Sequence, residues 1–454
     1  MRHLLALLLT SAALTPVHAQ AQSSDLSAVE DRLAAMQAEI ARLTAEVAEL
    51  RAREAARVVQ PAPAPAAVPP SNPDLGQEAS AVSWEGAPEI AQEGGWSFKP
   101  RGRIQVDTAT IAAPDAIAGN SLGTGTEFRR VYLGVEGSLP GDFGYRVEAD
   151  VANSSVELTD VYLTYDASDS LSFTLGHHKT FSGLEDTTSD LFTSMLERAA
   201  FNSAFGFERR VGFSGEYSAN DFIVQLGVFT DDAEALGDDA NDSYSLDGRV
   251  VFSPKIGGGQ LHIGGSAHFR ELNDGAATVR YRARPFVHTT DMRLVDTGSI
   301  AATGERNFGL EVAYIHGPFH ATVEGHSMTA RRPGLPDPTF HGGYAEVGML
   351  ITPGDKAGYR NGAFNRIRPV NPVGEGGIGA IQINARYDRL DLSDEGIVGG
   401  TQQALGLSAI WVPTDYIRFL VNYGHLWIDN AAVLAGVDPD YQVDAFGVRA
   451  QVDF

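Results

Sequence analysis

The last twelve residues, Val443-Asp444-Ala445-Phe446-Gly447-Val448-Arg449-Ala450-Gln451-Val452-Asp453-Phe454, decide how the rest of the chain is read. Successive side chains of a strand point in opposite directions. Phe446, Val448, Ala450, Val452 and Phe454 therefore share one face, and Gly447, Arg449, Gln451 and Asp453 the other. A strand of this kind presents an apolar side to lipid and a charged side to water. In a soluble sandwich the apolar side would turn into a core, so a single strand decides nothing and recurrence decides everything.

The pattern recurs. Tyr145, Val147, Ala149 and Val151 alternate with Arg146, Glu148 and Asp150, while Ile381, Ile383, Ala385 and Tyr387 alternate with Gln382, Asn384, Arg386 and Asp388. Ile417, Phe419, Val421, Tyr423 and Trp427 line one face of a further segment. Short turns, such as Pro140-Gly141-Asp142 and Gly317-Pro318, alternate with longer polar loops. Sixteen such segments, from 98–110 to 442–454, predict an all-β fold: a sixteen-stranded antiparallel transmembrane β-barrel over residues 96–454. An even number places both barrel ends on the periplasmic side, and sixteen strands are wide enough for an aqueous channel unless loops fill it. Three connections exceed simple turns: Thr180 to Glu208, Leu272 to Thr303, and Pro353 to Gly377. Parity puts the first two outside the cell and the third in the periplasm, and all three are expected to fold inward and form a constriction.

Ahead of the barrel the chain changes character. Arg2 and His3, the apolar run Leu4 to Leu14 and Val17-His18-Ala19 read as a signal peptide over residues 1–19. Leu26, Val29, Leu33, Met36, Ile40, Leu43, Val47 and Leu50 are spaced 3 and 4 in strict alternation, which predicts a periplasmic coiled coil over 24–57 and hence an oligomer. Residues 58–95, opening with Pro61, Pro63, Pro65, Pro69, Pro70 and Pro73, read as a Pro/Ala-rich linker. Cysteine is absent, which excludes a disulfide framework, thiolate catalysis and Cys-ligated zinc. The net charge of -24 argues against nucleic acid as a partner. From Trp96 onward 28 Lys+Arg stand against 46 Asp+Glu.

Arginine clusters carry the chemistry. Arg280, Arg282 and Arg284, if extended, fall on one side at spacing two and offer planar donors to oxyanions such as phosphate. Arg366 and Arg368 repeat the arrangement in the third long connection. The alternative is that these arginines pair with the barrel's many carboxylates and pin the loops to the wall. Arg129 and Arg130 adjoin on one strand, so only one of them is expected to face the lumen. The acidic stretch Asp231 to Asp242 suits a solvated loop or a surface bridged to lipopolysaccharide by divalent cations. Gly374-Glu375-Gly376-Gly377-Ile378-Gly379 fits G-x-G-x-x-G but precedes a strand instead of opening a helix, and no HExxH or nucleophile elbow occurs. No catalytic residues, metal ligands or cofactors are expected.

Read in order, several stretches resemble the phosphate-selective porins O and P. They are Phe98-Lys99-Pro100-Arg101-Gly102-Arg103, Glu127-Phe128-Arg129-Arg130, Val156-Glu157-Leu158-Thr159-Asp160-Val161-Tyr162-Leu163, Met195-Leu196-Glu197-Arg198-Ala199, Tyr281-Arg282-Ala283-Arg284-Pro285, Gly362-Ala363-Phe364-Asn365-Arg366-Ile367-Arg368-Pro369 and Ala385-Arg386-Tyr387. The resemblance spans Phe98 to Phe454. It implies an outer-membrane homotrimer of sixteen-stranded barrels whose arginines guide small inorganic anions through an electropositive constriction. The substrate-binding residues it implies are Arg280, Arg282, Arg284, Arg129, Arg130, Arg366 and Arg368. The first long loop departs from the phosphate-specific members in carrying only Lys179 at its start and no lysine cluster. Two other readings stay open: a general or cation-preferring pore, and an envelope protein that tethers the outer membrane to peptidoglycan through the coiled coil.

Overall fold

The computed structural model describes residue 42 and residues 81–117, 122–236, 243–273 and 277–454. Apart from Arg42, the expected signal peptide, coiled coil and first part of the linker lie outside the described residues. Sixteen long strands follow one another: β1 (Trp96–Ala112), β2 (Thr124–Leu139), β3 (Phe143–Asp150), β4 (Glu157–Ser168), β5 (Leu171–Lys179), β6 (Arg209–Ala219), β7 (Phe222–Phe229) and β8 (Tyr244–Phe252) make the first half. The second half is β9 (Gly259–Glu271), β10 (Gly304–His316), β11 (Phe319–Arg331), β12 (Thr339–Leu350), β13 (Ala380–Asp394), β14 (Ile397–Thr414), β15 (Ile417–Asp429) and β16 (Tyr441–Asp453). Each pairs antiparallel with its neighbour in sequence, and β16 closes on β1 from Asp444↔Ala112 to Asp453↔Arg103. The sixteen expected segments are the sixteen observed strands.

The period-two reading of β16 decides its orientation. Phe446 is 49% exposed on the outer surface, whereas Arg449 on the inner side is 4% exposed. The same division holds on β13, where Ile383 and Tyr387 face out while Gln382, Asn384, Arg386 and Asp388 are buried inside. Outward aromatic rings gather beside the short turns at the rim that carries the chain ends. Phe143 and Tyr165 stand 4.9 Å apart, Phe222 and Phe252 4.7 Å, and Trp411 and Phe419 5.3 Å. Such a girdle marks a membrane interface, and short turns mark the periplasmic rim.

All three long connections enter the barrel. The first, residues 180–208, contains the short helices α1 (Leu184–Thr187) and α2 (Ala200–Phe205). Phe201 of α2 is fully buried between the rings of His326 (4.8 Å) and Tyr344 (6.3 Å), and burial of a side chain this size contributes about 1.5–3 kcal/mol. Leu196 of the same loop lies on Gly447, where any side chain would collide with it. The second connection buries Tyr281, Val287 and Leu294 in the same inner cluster, and Phe286 lies over Gly406 and Gly424. The third turns inward as a hairpin of Gly358–Arg360 with Ala363–Asn365. Arg249 donates to the carbonyl of Gly362 at 2.9 Å, and Tyr359 bonds to His262 at 2.6 Å. Apolar side chains thus also pack inside the barrel, which the outward-facing pattern alone does not convey.

Two expectations need correction. Residues 81–92, assigned to the linker, form a hairpin of Ala81–Glu85 with Ala87–Gln92 that continues onto the start of β1. Gly86, at φ +80, makes its turn, a backbone conformation that glycine adopts without strain. Arg129 and Arg130 both reach the interior. The β1–β2 register slips at Gln105/Val106, so that Gln105 opposes Arg130 and Val106 opposes Phe128, leaving Arg129 as the extra residue of a bulge. Strict alternation fails there, and the choice between the two arginines disappears.

The orientation of β16 is tested by Val448→Arg. A cation in the middle of the lipid-facing band is expected to cost about 2–4 kcal/mol in urea unfolding of the protein folded in lipid vesicles. Unchanged stability would place Val448 in water.

Candidate permeation pathway

Two cavities of about 450 and 470 Å³ lie within the barrel. The lower is walled by β1 to β6, by residues 187–192 of the first long loop, and by Arg366 and Arg368, and it includes Phe454 and Glu85 at the periplasmic rim. The upper is walled by α2, the second long connection and the Arg129-Arg130 bulge. Arg130 and Arg198 line both, so these two guanidiniums mark the candidate neck between the cavities.

The lining is basic on each side of the neck. The lower cavity carries ten Lys/Arg against six Asp/Glu, and the upper seven Arg against three Asp/Glu. This excess sits inside a barrel segment whose overall balance is 28 to 46. The acidic residues are therefore placed elsewhere. Some of them, Glu311, Glu324 and Glu346, lie on the opposite wall, where they pair with Arg249, Arg386 and the histidines His262, His320 and His326. Glu185 joins Arg386 there, outside both cavities, and burial pushes its carboxyl up to about 7 against the pull of that arginine.

β1 supplies Lys99, Arg101 and Arg103 at period two, all on the inner face. Arg101 pairs with Glu136, Arg146 with Glu136 at 2.7 Å and Asp160 at 3.4 Å, and Arg209 with Asp160 at 2.6 Å. At the neck the first loop provides the counter-charges. Asp190 pairs with Arg103 and, at 2.6 Å, with Arg130, while Glu197 takes a two-pronged bond from Arg129 at 2.8 and 3.0 Å and a further one from Arg449 at 3.1 Å. Burial raises both carboxyls, but these guanidiniums outweigh it and hold both well below the usual carboxylate range.

Arg198 is different. It donates to the carbonyls of Glu185 at 3.0 Å, Asp186 at 3.5 Å and Thr188 at 2.7 Å, and it has no ion pair among the described residues. Carbonyl oxygens fix its direction without cancelling its charge, so Arg198 stands at the neck as a cation outside any ion pair among the described residues.

All seven arginines singled out from the sequence line the two cavities, though not as a free row. Arg280 bonds Asp296 at 2.8 Å, and Arg284 bonds Asp291 at 2.9 Å and the Thr290 carbonyl at 2.8 Å. Arg282 lines the upper cavity with no ion pair among the described residues. Arg366 pairs with Asp453 and lies over the rings of Phe192 (5.2 Å) and Tyr416 (5.0 Å). Arg368 spans Glu85 at 2.8 Å and Asp415 at 3.1 Å. Sequence reasoning passed over Lys99, Arg101, Arg103, Arg146 and Arg293 as lining residues. The period-two row Lys99-x-Arg101-x-Arg103 was the available signal for the first three.

The family model for phosphate-selective porin O and P matches residues 98–454. A protein of Caulobacter vibrioides is 43% identical over 406 residues, covering 87% of this chain and 82% of that one. Porin O of Pseudomonas aeruginosa is 25% identical over 404 residues, covering 79% and 89%. Among solved structures, the trimer form of in-vitro folded OmpT, an outer membrane protein of Vibrio cholerae, aligns with a TM-score of 0.51 at 13% identity, over 79% of this chain and 100% of that one. At that identity the likeness is one of fold. With a closed sixteen-stranded barrel, an interfacial ring girdle and a family match over the whole barrel, the chain is an outer-membrane protein that belongs to the phosphate-selective porin O and P family.

Proposed function

We propose that the protein passes small anions, phosphate and other oxyanions among them, by passive diffusion through an arginine-lined constriction. The observation that carries this reading is the cationic excess on both sides of the neck, with Arg198 at the neck itself outside any ion pair among the described residues. In a narrow path with low-dielectric walls, local charges set the field, and the acidic surface matters little at that depth. An anion exchanges part of its water shell for guanidinium donors and moves between them. Most of those donors already hold a carboxylate, which keeps each stop shallow enough for release. Assembly as a homotrimer in contact with lipopolysaccharide belongs to the same reading, supported by the heptad seam of residues 24–57 and the apolar outer face.

Single channels in a planar bilayer under a KCl gradient are expected to give an anion-selective reversal potential. A cation-selective sign refutes the reading in favour of a cation-preferring pore, and a potential near zero in favour of a general one.

Arg198→Gln is expected to lower the anion-to-cation permeability ratio about fivefold, the equivalent of about 1 kcal/mol for one charge in a wet path. Arg368→Gln, at an exposed position already shared by two carboxylates, is expected to change it less than twofold. Equal effects at the two sites would show that Arg198 has no special role at the neck.

A further inference from the structure

The carboxylate of Asp190 stands where two guanidiniums from neighbouring strands converge. Its Oδ1 meets Arg103 of β1, and its Oδ2 meets Nε of Arg130 of β2 at 2.6 Å. Arg103 is further held over the ring of Tyr132 at 4.5 Å, and Arg130 donates to Gln105 at 3.0 Å, so both forks keep their direction whatever lies between them. Two oxygens shared between two guanidiniums is the geometry in which such donors bind any oxyanion, a phosphate as readily as a carboxylate. Asp190 also lines the lower cavity, directly beside the neck.

We propose that Asp190 is a tethered counter-ion that occupies the seat of the permeating oxyanion and sets how weakly the neck binds it. This inference rests on the anion-passage reading above. An incoming oxyanion gains the full strength of Arg103 and Arg130 only when Asp190 yields, so its apparent affinity is the intrinsic one multiplied by the fraction of time the seat is vacant. A group held on the same chain competes at an effective concentration of about millimolar or more, which bulk phosphate rarely exceeds.

The loop does not depend on this carboxylate to stay in the barrel. The next carbonyl, that of Leu191, accepts from Arg418 at 2.9 Å and from Gln451 at 3.2 Å, and the Asp190 carbonyl accepts from Gln105 at 3.3 Å. Farther along, Phe201 and Leu196 bury the loop's apolar side chains. Neutralising Asp190 therefore releases Arg130 from its ion pair and leaves Arg103 only the longer one to Glu148 at 3.9 Å, without releasing the segment that carries it.

The test uses the full chain in planar bilayers, with inorganic phosphate added at constant KCl. The Asp190→Asn variant is expected to be blocked by phosphate at a concentration about tenfold or more below that needed for the native protein. Equal block in the two proteins overturns the proposal. The native reversal potential separates the two readings: a cation-selective native channel refutes anion passage itself, whereas an anion-selective one with unchanged block in the variant refutes only the role of Asp190. Should the variant fail to assemble, the native protein still decides. Its conductance is expected to rise in proportion to KCl up to molar salt, and saturation in the millimolar range would show an unoccupied seat.

Discussion

A sheet in hydrocarbon leaves no polar edge unpaired, and the junction of β16 with β1 is where this chain meets that demand. Closure fixes the interior, because each strand that turns its apolar side chains to lipid commits the alternate ones to the lumen. Arg449 of the last strand and Asp107 of the first illustrate the result. They form a two-pronged pair at 2.7 Å, buried on the inside of the seam itself. The basic wall of the path, the loops that fill the remaining space and the position of the neck are all built on that inward-facing set.

Charge is segregated within the barrel more than it is balanced. One side, from β1 to β6, carries the basic lining of the lower cavity, while the opposite wall holds the inward hairpin near Gly362 and pairs such as Arg249 with Glu311 and Arg386 with Glu346. Buried pairs of this kind repay their desolvation only when their geometry is good, and they stabilise less than apolar packing would. Their role here is placement: the same arginines also reach the inserted segments, Arg249 at the Gly362 carbonyl and Arg386 at Glu185, and hold them against that wall. A net acidic protein and an electropositive passage are then compatible.

How much of this was legible in the sequence depends on whether the signal was local. Strand positions were, because alternation such as that of Val448, Arg449 and Ala450 is written at neighbouring residues. The long connections were visible as candidates through their length alone. Which arginines meet which acids was not legible, since Arg103 finds Asp190 and Arg366 finds Asp453 only once the barrel has closed. The hairpin of residues 81–92 escaped because its strands are too short to cross a membrane and one carries Pro88, which ordinarily argues against a strand. The inner placement of both Arg129 and Arg130 depends on a slip in register, which residue type does not encode.

That slip has an evolutionary side. At most lumen positions a residue can be exchanged while its neighbours keep their facing, so the wall is open to gradual retuning. At the bulge, removing Arg129 would restore the regular ladder and cost the upper vestibule a cation, whereas removing its neighbour Phe128 would turn Arg129 toward the lipid. Exchanging residues around Arg129 thus leaves the count of inward cations to their own identity, whereas shortening β2 there removes one or faces it outward.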